Sequence, residues 1–367
     1  MSKKIKIGNS AHIKSFTIGG DSPVAVQTMW ADRLSFADIE NENLIKRIEN
    51  LGLMGCKLVR FAVPDLQSAE ILGNLAKLSS MPLAADIHFD YKIALRCMDF
   101  PVSKIRINPG NIGGREKVSA VLEKAAKFNI PIRIGVNAGS LPPDLREKTE
   151  KGIDTAQALA QAALRELAIF KEFGFDNCVI SMKASTIADT IKANRILAPE
   201  TDIPLHLGVT EAGPLIAGVT RNTAALVTLL PEGIGDTIRV SLSDSVENEV
   251  IAGREILRCA SEMSAGNSRL KSGGVKIVSC PRCGRFGFDT HAFTERWISG
   301  LYAFEKDITL AIMGCEVNGP VEAKHADIGI TGAGDKVLIF KHGKIIKTIN
   351  ASEADDVFEK ELRNLAT

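Results

Sequence analysis

Short runs rich in β-branched and other apolar residues recur along the first two-thirds of the chain. They lie at Val24–Met29, Lys57–Phe61, Leu83–Ile87, Lys104–Ile107, Ile132–Val136, Cys178–Met182, Leu205–Val209 and Thr237–Leu242. Their length and composition predict strands. Between them, apolar residues return at helical spacing. One stripe is Leu44, Ile45, Ile48 and Leu51, another Val118, Val121, Leu122 and Ala125, a third Leu164, Leu167 and Ala168. The first follows Ser35-Phe36-Ala37-Asp38, which has the spacing of a capping box, and Gly52 marks its stop. Strands alternating with helices pair in parallel through crossovers. Eight such units predict a closed (β/α)8 barrel of the TIM type rather than an open sheet. The alternative, a doubly wound sheet, usually carries a Gly-rich first turn, and none follows Val24–Met29. Residues ahead of Pro23 predict a small hairpin turning at Gly19-Gly20-Asp21 and plugging the barrel bottom.

Near residue 262 the composition shifts to Ser, Gly, Asn and Lys. The expected organisation is a barrel over residues 1–262, a linker over 263–274 and a small α+β domain over 275–367. In that last part strands are expected at Val275–Val278, Ile308–Met313, Ala326–Ile330, Val337–Lys341 and Lys344–Ile349, with a final helix near Ala351–Leu365.

Composition removes several function classes. Lys and Arg number 45 against 44 Asp and Glu, which argues against a nucleic-acid surface spread over the molecule. Aromatics are only 5%, too few for single-strand stacking platforms. No apolar run is long enough to span a membrane, and the basic start lacks the apolar core of a signal peptide, so a cytoplasmic protein is expected. Seven cysteines make a poor disulfide framework. Cys56, Cys97, Cys178 and Cys259 sit in apolar strand or helix segments and read as reduced, buried thiols.

Barrel active sites lie at the C-terminal strand ends. Here those ends carry Arg60; Asp86 and His88; Arg106 and Asn108; Arg133 and Asn137; Ser181 and Lys183; His206; and Arg239 and Ser241. Five strands supply an Arg or Lys, and spacing by two places paired residues on one face. A ring of like charge repels itself unless it meets an anion. Arg forks suit phosphate oxygens, so the ring predicts a small, multiply charged phosphate or carboxylate ligand. Lys183 also fits a Schiff-base lysine if its pKa is depressed. The second domain carries Cys280-Pro281-Arg282-Cys283 and Cys315-Glu316-Val317-Asn318-Gly319-Pro320. Three thiolates suit a zinc ion, with His325 as fourth ligand, or an iron–sulfur cluster with one iron open to another ligand. Spacing alone leaves both open.

Long segments resemble the 4-hydroxy-3-methylbut-2-enyl diphosphate synthase family. They include Ala85-Asp86-Ile87-His88-Phe89-Asp90, Ile105-Arg106-Ile107-Asn108-Pro109-Gly110-Asn111, Ile132-Arg133-Ile134-Gly135-Val136-Asn137, Met182-Lys183-Ala184-Ser185, Leu205-His206-Leu207-Gly208-Val209 and both cysteine motifs. The resemblance runs from about Ile7 to the end of the second domain. It implies a barrel joined to a ferredoxin-like domain with a [4Fe–4S] cluster on Cys280, Cys283, Cys315 and Glu322. It also implies the substrate, 2-C-methyl-D-erythritol 2,4-cyclodiphosphate, held at the barrel mouth. Electrons would come from reduced flavodoxin or ferredoxin, and a homodimer would set each cluster over the partner's barrel. Glu249 and Asn318 join Glu322 as candidate catalytic residues. Val321 stands where the family usually has Gly, and Trp30-Ala31-Asp32 replaces a frequent Thr-Asn-Thr. Rival readings are a barrel aldolase or pterin-type transferase braced by zinc, and a non-enzymatic iron–sulfur carrier.

Overall fold

The computed structural model describes every residue except Ala265, Ser272, Arg282, Glu305, Val317 and Thr367, and of Ser140, Asn318 and Ala366 it describes the backbone alone. The chain divides into two compact units, Met1–Ser272 and Gly273–Thr367.

The first unit opens with an antiparallel hairpin, β1 (Ile5–Ile7) and β2 (Phe16–Ile18). Eight parallel strands follow: β3 (Ala25–Met29), β4 (Cys56–Ala62), β5 (Leu83–Asp86), β6 (Lys104–Ile107), β7 (Ile132–Asn137), β8 (Cys178–Lys183), β9 (His206–Leu207) and β10 (Thr237–Ile238). They lie in the order β8-β7-β6-β5-β4-β3-β10-β9. A bridge between Ile180 and Leu205 joins the two ends, giving the expected eight-stranded barrel. The seam is thin for a chemical reason. Ile180 N–H donates to the Pro204 carbonyl at 3.0 Å, and Pro204 has no N–H with which to carry the ladder back towards Cys178. Strands β9 and β10 are shorter than expected; just past β9, Gly208 lies so close to the Arg239 carbonyl that a Cβ there would be 2.4 Å from it.

Side-chain caps start the crossover helices: Asp65 on Ser68 N–H, Asp90 on Lys92, Thr186 on Asp189 and Ser245 on Asn248. Each cap ends a strand-to-helix loop and so fixes its reach over the barrel mouth. The Ser35–Asp38 capping box forms, but it starts only the short helix Phe36–Ile39. The apolar stripe belongs to a second helix, Glu42–Leu53, capped by Asn41. That helix runs past Gly52 and stops before Gly55, whose φ of 102° ends it.

The N-terminal hairpin closes the bottom as expected. Ile5, Ile7 and Ile18 pack against Ala25, Leu58, Ala84 and Val179. Full burial of each isoleucine stabilises by about 1.5–3 kcal/mol. Its turn, however, is the segment 8–15; Gly19-Gly20-Asp21 instead follows β2 and leads into the barrel. Residues 263–274, read from composition as a linker, include the 3-10 turn Ser268–Leu270. Leu270 is buried, and Arg269 Nη2 pairs with Asp236 Oδ1 at 2.6 Å.

The second unit is an α+β domain around one mixed sheet: β11 (Lys276–Ser279), β12 (Thr309–Met313), β13 (Ile328–Ala333), β14 (Lys336–Lys341) and β15 (Lys344–Asn350). The strands lie in chain order, the first three parallel and the last three antiparallel, rather than interleaved as in a ferredoxin-like βαββαβ unit. Phe293 and Phe358, from helices Thr290–Tyr302 and Ala354–Ala366, seal one face with Ile312, Ile330 and Ile339. Ala323 and Ala326 pack on the other face with Ala311, Met313 and Phe340.

Candidate active site

Alternation along the strands sends every second residue into the barrel. Near the C-terminal ends this gathers Arg60, Asp86, Arg106, Arg133, Lys183 and Arg239. Asp86 lies between two arginines. Its Oδ1 accepts from Arg106 Nη1 at 3.0 Å, and its Oδ2 lies 3.3 Å from Arg60 Nε. Burial pulls the Asp86 carboxyl up, but Arg60, Arg106 and Arg133 outweigh it and hold the group below its ordinary value. His88 Nε2 lies 2.9 Å from the same Arg106 nitrogen. Burial lowers the His88 pKa further than Asp86 raises it.

Glu249 anchors the opposite wall. It stands in the first turn of helix Val246–Met263 and is 2% exposed. It accepts from Arg239 Nη2 at 2.6 Å and Nε at 3.1 Å, from Thr28 Oγ1 at 2.7 Å and from Leu242 N–H at 3.1 Å. With its oxygens so engaged, Glu249 is built to orient Arg239. Arg239 Nη1 also donates to Ser241 Oγ at 2.9 Å.

The cations outnumber these two carboxylates. Arg133, though early in its strand, is 3% exposed, and its Nε and Nη1 have no partner among the described residues. Burial, with Arg60 and Arg106 adding, depresses Arg133 well below its ordinary value. Arg60 is brought to about 10, mainly by burial. Lys183 is driven down by burial, then by Arg239, Arg133 and Arg60, which meets the pKa condition set for a Schiff-base lysine. His206 is likewise held far below its ordinary value by burial and by Arg133 and Lys183. Its Nδ1 lies 2.7 Å from Thr237 Oγ1. Asn108 and Asn137 stand at the ends of β6 and β7, with Asn137 paired in register with Lys183. Ser181 is turned to the Ile134 carbonyl, 3.2 Å away.

Three contributors escaped the sequence reading. Lys104, 1% exposed, donates from Nζ to Gln27 Oε1 at 3.1 Å. It is two residues before Arg106, so the same alternation points to it. Gly135 and Gly208 leave room for the cations. A Cβ on Gly135 would lie 2.7 Å from Arg106 Nε, and one on Gly208 3.0 Å from Lys183 Nζ. Glycine inside a strand is the available signal. Trp30, expected to change a wall of the site, turns outward from the barrel. It stacks on Phe61 at 5.8 Å, under the Arg47 guanidinium.

In the second unit Cys280 and Cys315 follow the adjacent parallel strands β11 and β12. The Gly314 N–H donates to Cys280 Sγ at 3.1 Å. Gly287 N–H donates to the Gly314 carbonyl at 2.9 Å, tying the Cys280–Cys283 loop to the Cys315 loop. Cys283 is exposed, and hydrogen bonds from Arg285 lower its thiol pKa. Gly319 N–H donates to the Cys315 carbonyl at 3.0 Å and starts helix Asn318–Glu322, which ends on the exposed Glu322. Val321 sits within that helix and needs no positive φ. The Asn318 side chain lies outside the described residues. Among the described residues, no three of His, Cys, Asp and Glu gather around a single metal ion. Three thiols on two loops tied by the Gly287–Gly314 bond, with an N–H···S bond at Cys280, are soft donors of the kind an iron–sulfur cluster takes. By contrast Cys56, Cys97 and Cys178 are buried, and burial pushes their thiols up to about 12, whereas Cys259, expected to be buried with them, lies on an exposed position of helix Val246–Met263.

Residues 8–254 match the family model described as the GcpE TIM-barrel domain, and residues 276–364 match the GcpE protein C-terminal domain. The 4-hydroxy-3-methylbut-2-en-1-yl diphosphate synthase (flavodoxin) of Treponema denticola is 50% identical over 99% of this chain and 98% of its own. That of Treponema pallidum is 49% identical over 99% and 92%. That of Caldicellulosiruptor saccharolyticus is 43% identical over 100% and 99%. The chain therefore belongs to the GcpE family, the 4-hydroxy-3-methylbut-2-en-1-yl diphosphate synthases.

Proposed function

We propose that the barrel mouth holds a cyclic diphosphate and that the second unit carries the redox centre that reduces it. The chain is a 4-hydroxy-3-methylbut-2-enyl diphosphate synthase of isoprenoid biosynthesis. It converts 2-C-methyl-D-erythritol 2,4-cyclodiphosphate to the linear allylic diphosphate. Two electrons and two protons open the ring at one C–O bond and release one hydroxyl as water. One observation carries the assignment of the mouth. Six cationic side chains, Arg60, Lys104, Arg106, Arg133, Lys183 and Arg239, face two carboxylates, with arginine N–H groups left unpartnered. Such a cluster is stable only with anionic charge brought in.

The roles follow from the contacts. Asp86 and Glu249 hold Arg60, Arg106 and Arg239 in place before substrate arrives, so little reorganisation remains at the reaction. Arg133 offers donors from below. The diphosphate charge offsets that of Arg239, Arg133 and Arg60 around Lys183 and so favours the ammonium form of this lysine. Asn108, Asn137, Ser241, His88 and His206 complete the walls. Cys280, Cys283, Cys315 and Glu322 hold a [4Fe–4S] cluster, whose supply of single electrons is the chemistry the barrel lacks. Reduced flavodoxin is the donor, and a homodimer supplies each barrel with its partner's second unit.

Anaerobic purification tests this reading. The expected protein is brown with about four iron and four sulfide per chain, and it turns over the cyclic diphosphate with a chemical reductant. Substituting Cys280, Cys283 or Cys315 by Ser should bleach it, and Cys56→Ser should not. A coloured Cys315→Ser protein beside a colourless Cys56→Ser protein overturns the ligand assignment.

A further inference from the structure

We infer that the free end of the β14–β15 hairpin is the docking surface for a small acidic electron-carrier protein. The inference rests on the redox reading of the second unit and names where its electrons enter. Three observations carry it. The first is position. The turn His342-Gly343 packs on the segment that carries Glu322: a Cβ on Gly343 would lie 2.8 Å from the Pro320 carbonyl and 3.1 Å from Lys324 Cβ. His342 N–H also donates to the Ala326 carbonyl at 3.0 Å. A carrier bound here sits against the backbone leading to the proposed cluster loops, and electron transfer demands such proximity.

The second is exposed apolar surface. Ile345 and Ile346 are 53% and 41% exposed, and β15 is the outer strand of the sheet. Register pairs Ile345 with Phe340, whose side chain belongs to the face that Ala323 and Ala326 cover. Ile345 thus extends that apolar face past the edge of its cover, and Ile346 stands beside it at the register shift of the hairpin. Val321, 69% exposed, adds to it from the Glu322 helix. The third is charge. Lys324, against the Gly343 turn, and Lys344, the neighbour of Ile345 on the edge strand and the register partner of Lys341, are both exposed. The next lysines along the hairpin, Lys341 and Lys347, share the single carboxylate of Glu361 at 2.8 and 2.9 Å. A short apolar centre with a basic rim is the complement of an acidic carrier that docks transiently through steering charges.

The test uses the full-length protein with its cluster and purified bacterial flavodoxin as the probe. The double variant Lys324→Glu/Lys344→Glu should raise the KM for reduced flavodoxin at least 10-fold at low salt. It should weaken flavodoxin binding, titrated without substrate, by a similar factor. Added salt should shrink both differences. Turnover with reduced methyl viologen, which needs no docking surface, should stay at the wild-type rate. Ile345→Ser should weaken flavodoxin binding with little salt dependence, and its unchanged melting temperature would show that the edge strand still folds. Unchanged flavodoxin binding in both variants overturns the assignment. So does an equal loss with methyl viologen, or a change in sedimentation coefficient, which would make this face a contact between copies of the chain. Wild-type protein that binds flavodoxin yet never reduces the cyclic diphosphate would refute the proposed reaction and leave the docking surface standing.

Discussion

Asp86→Asn separates the two demands made on the barrel mouth, stability without ligand and attraction for an anion. Asp86 has a side chain 4% exposed and touches both Arg60 and Arg106. Replacing it with a neutral isostere keeps the shape and removes the charge. Leaving a buried partner uncompensated costs about 3–5 kcal/mol. Here Arg60, Arg106 and Arg133 then face one another with no intervening charge. For a unit of this size the loss corresponds to a fall of roughly 6–20 °C in melting temperature. The pH dependence has a definite sign. The folded-state pKa of Asp86 is lowered, so its stabilisation is fully present above the unfolded value and is lost as pH falls through the folded one. The gap between wild type and variant should be constant at neutral pH and close only in acid.

Ligand reverses the ranking. A carboxylate about 7 Å from a bound unit charge repels it by about 2 kcal/mol at an effective dielectric near 20. Asp86→Asn should therefore gain more from bound anion than wild type does. The assay is thermal melting with and without millimolar pyrophosphate, since ligand bound to the folded state raises its stability by mass action. The variant should melt lower alone and recover a larger increment with pyrophosphate. An unliganded variant as stable as wild type, or equal increments in the two proteins, would refute the account of Asp86 as the counter-ion of an anion site.

Three further outcomes follow from the same geometry. Gly135→Ala sets a methyl where Arg106 Nε lies 2.7 Å away, so diphosphate affinity should fall about 10- to 100-fold, as for Arg106→Ala, because a charge-assisted contact is worth about 1.5–3 kcal/mol; unchanged calorimetric affinity would sink it. Lys183, depressed by burial and by Arg239, Arg133 and Arg60, should take up a proton on binding. Wild-type affinity should then be strongest below the free-state pKa and weaken as pH rises above it, and calorimetry in buffers of different ionisation enthalpy should show uptake in wild type that Lys183→Met lacks. Glu322→Cys should keep its colour and lose most turnover, since thiolate holds an iron–sulfur centre more firmly than carboxylate does; wild-type turnover per iron would show that an exchangeable oxygen ligand is not needed there.

The barrel was legible because its signals are local. Strands reveal themselves by short apolar runs and helices by three- and four-residue returns, and Lys104–Ile107 needed nothing else. What escaped depends on contacts distant in sequence. The Ser35 box forms yet starts a four-residue helix, since Asn41 begins a better-capped one six residues on. The order of the second sheet is set by how β11, β12 and β13 stack side by side, which no periodicity encodes. Glu249 shows both sides. Its place after the last strand was readable, but its grip on Arg239 was not, because Arg239 and Glu249 meet only once helix Val246–Met263 has folded back over the barrel.

The site residues themselves were found by a conflict between levels. Inward positions of barrel strands are normally filled by branched apolar side chains in stacked layers. Ala25, Leu58, Ala84 and Val179 obey this near the hairpin plug. Two residues further along their strands, Gln27, Arg60, Asp86 and Ser181 break it. Burying polar and charged groups at those steps costs stability that neighbouring hydrophobic packing has to offset. Local rules broken together, at one level of one barrel, mark a place where the fold gives up stability for binding. The glycines support this. Gly135 weakens its strand and makes room for Arg106, while Gly208, just past β9, makes room for Lys183 and for the close approach of the Arg239 carbonyl. A stability-driven core would fill those positions with side chains. At Gly135 the space is taken by the Arg106 guanidinium, which Asp86 holds in place, so the fold gives up a core position to a cation fixed at the level where an anion would be met.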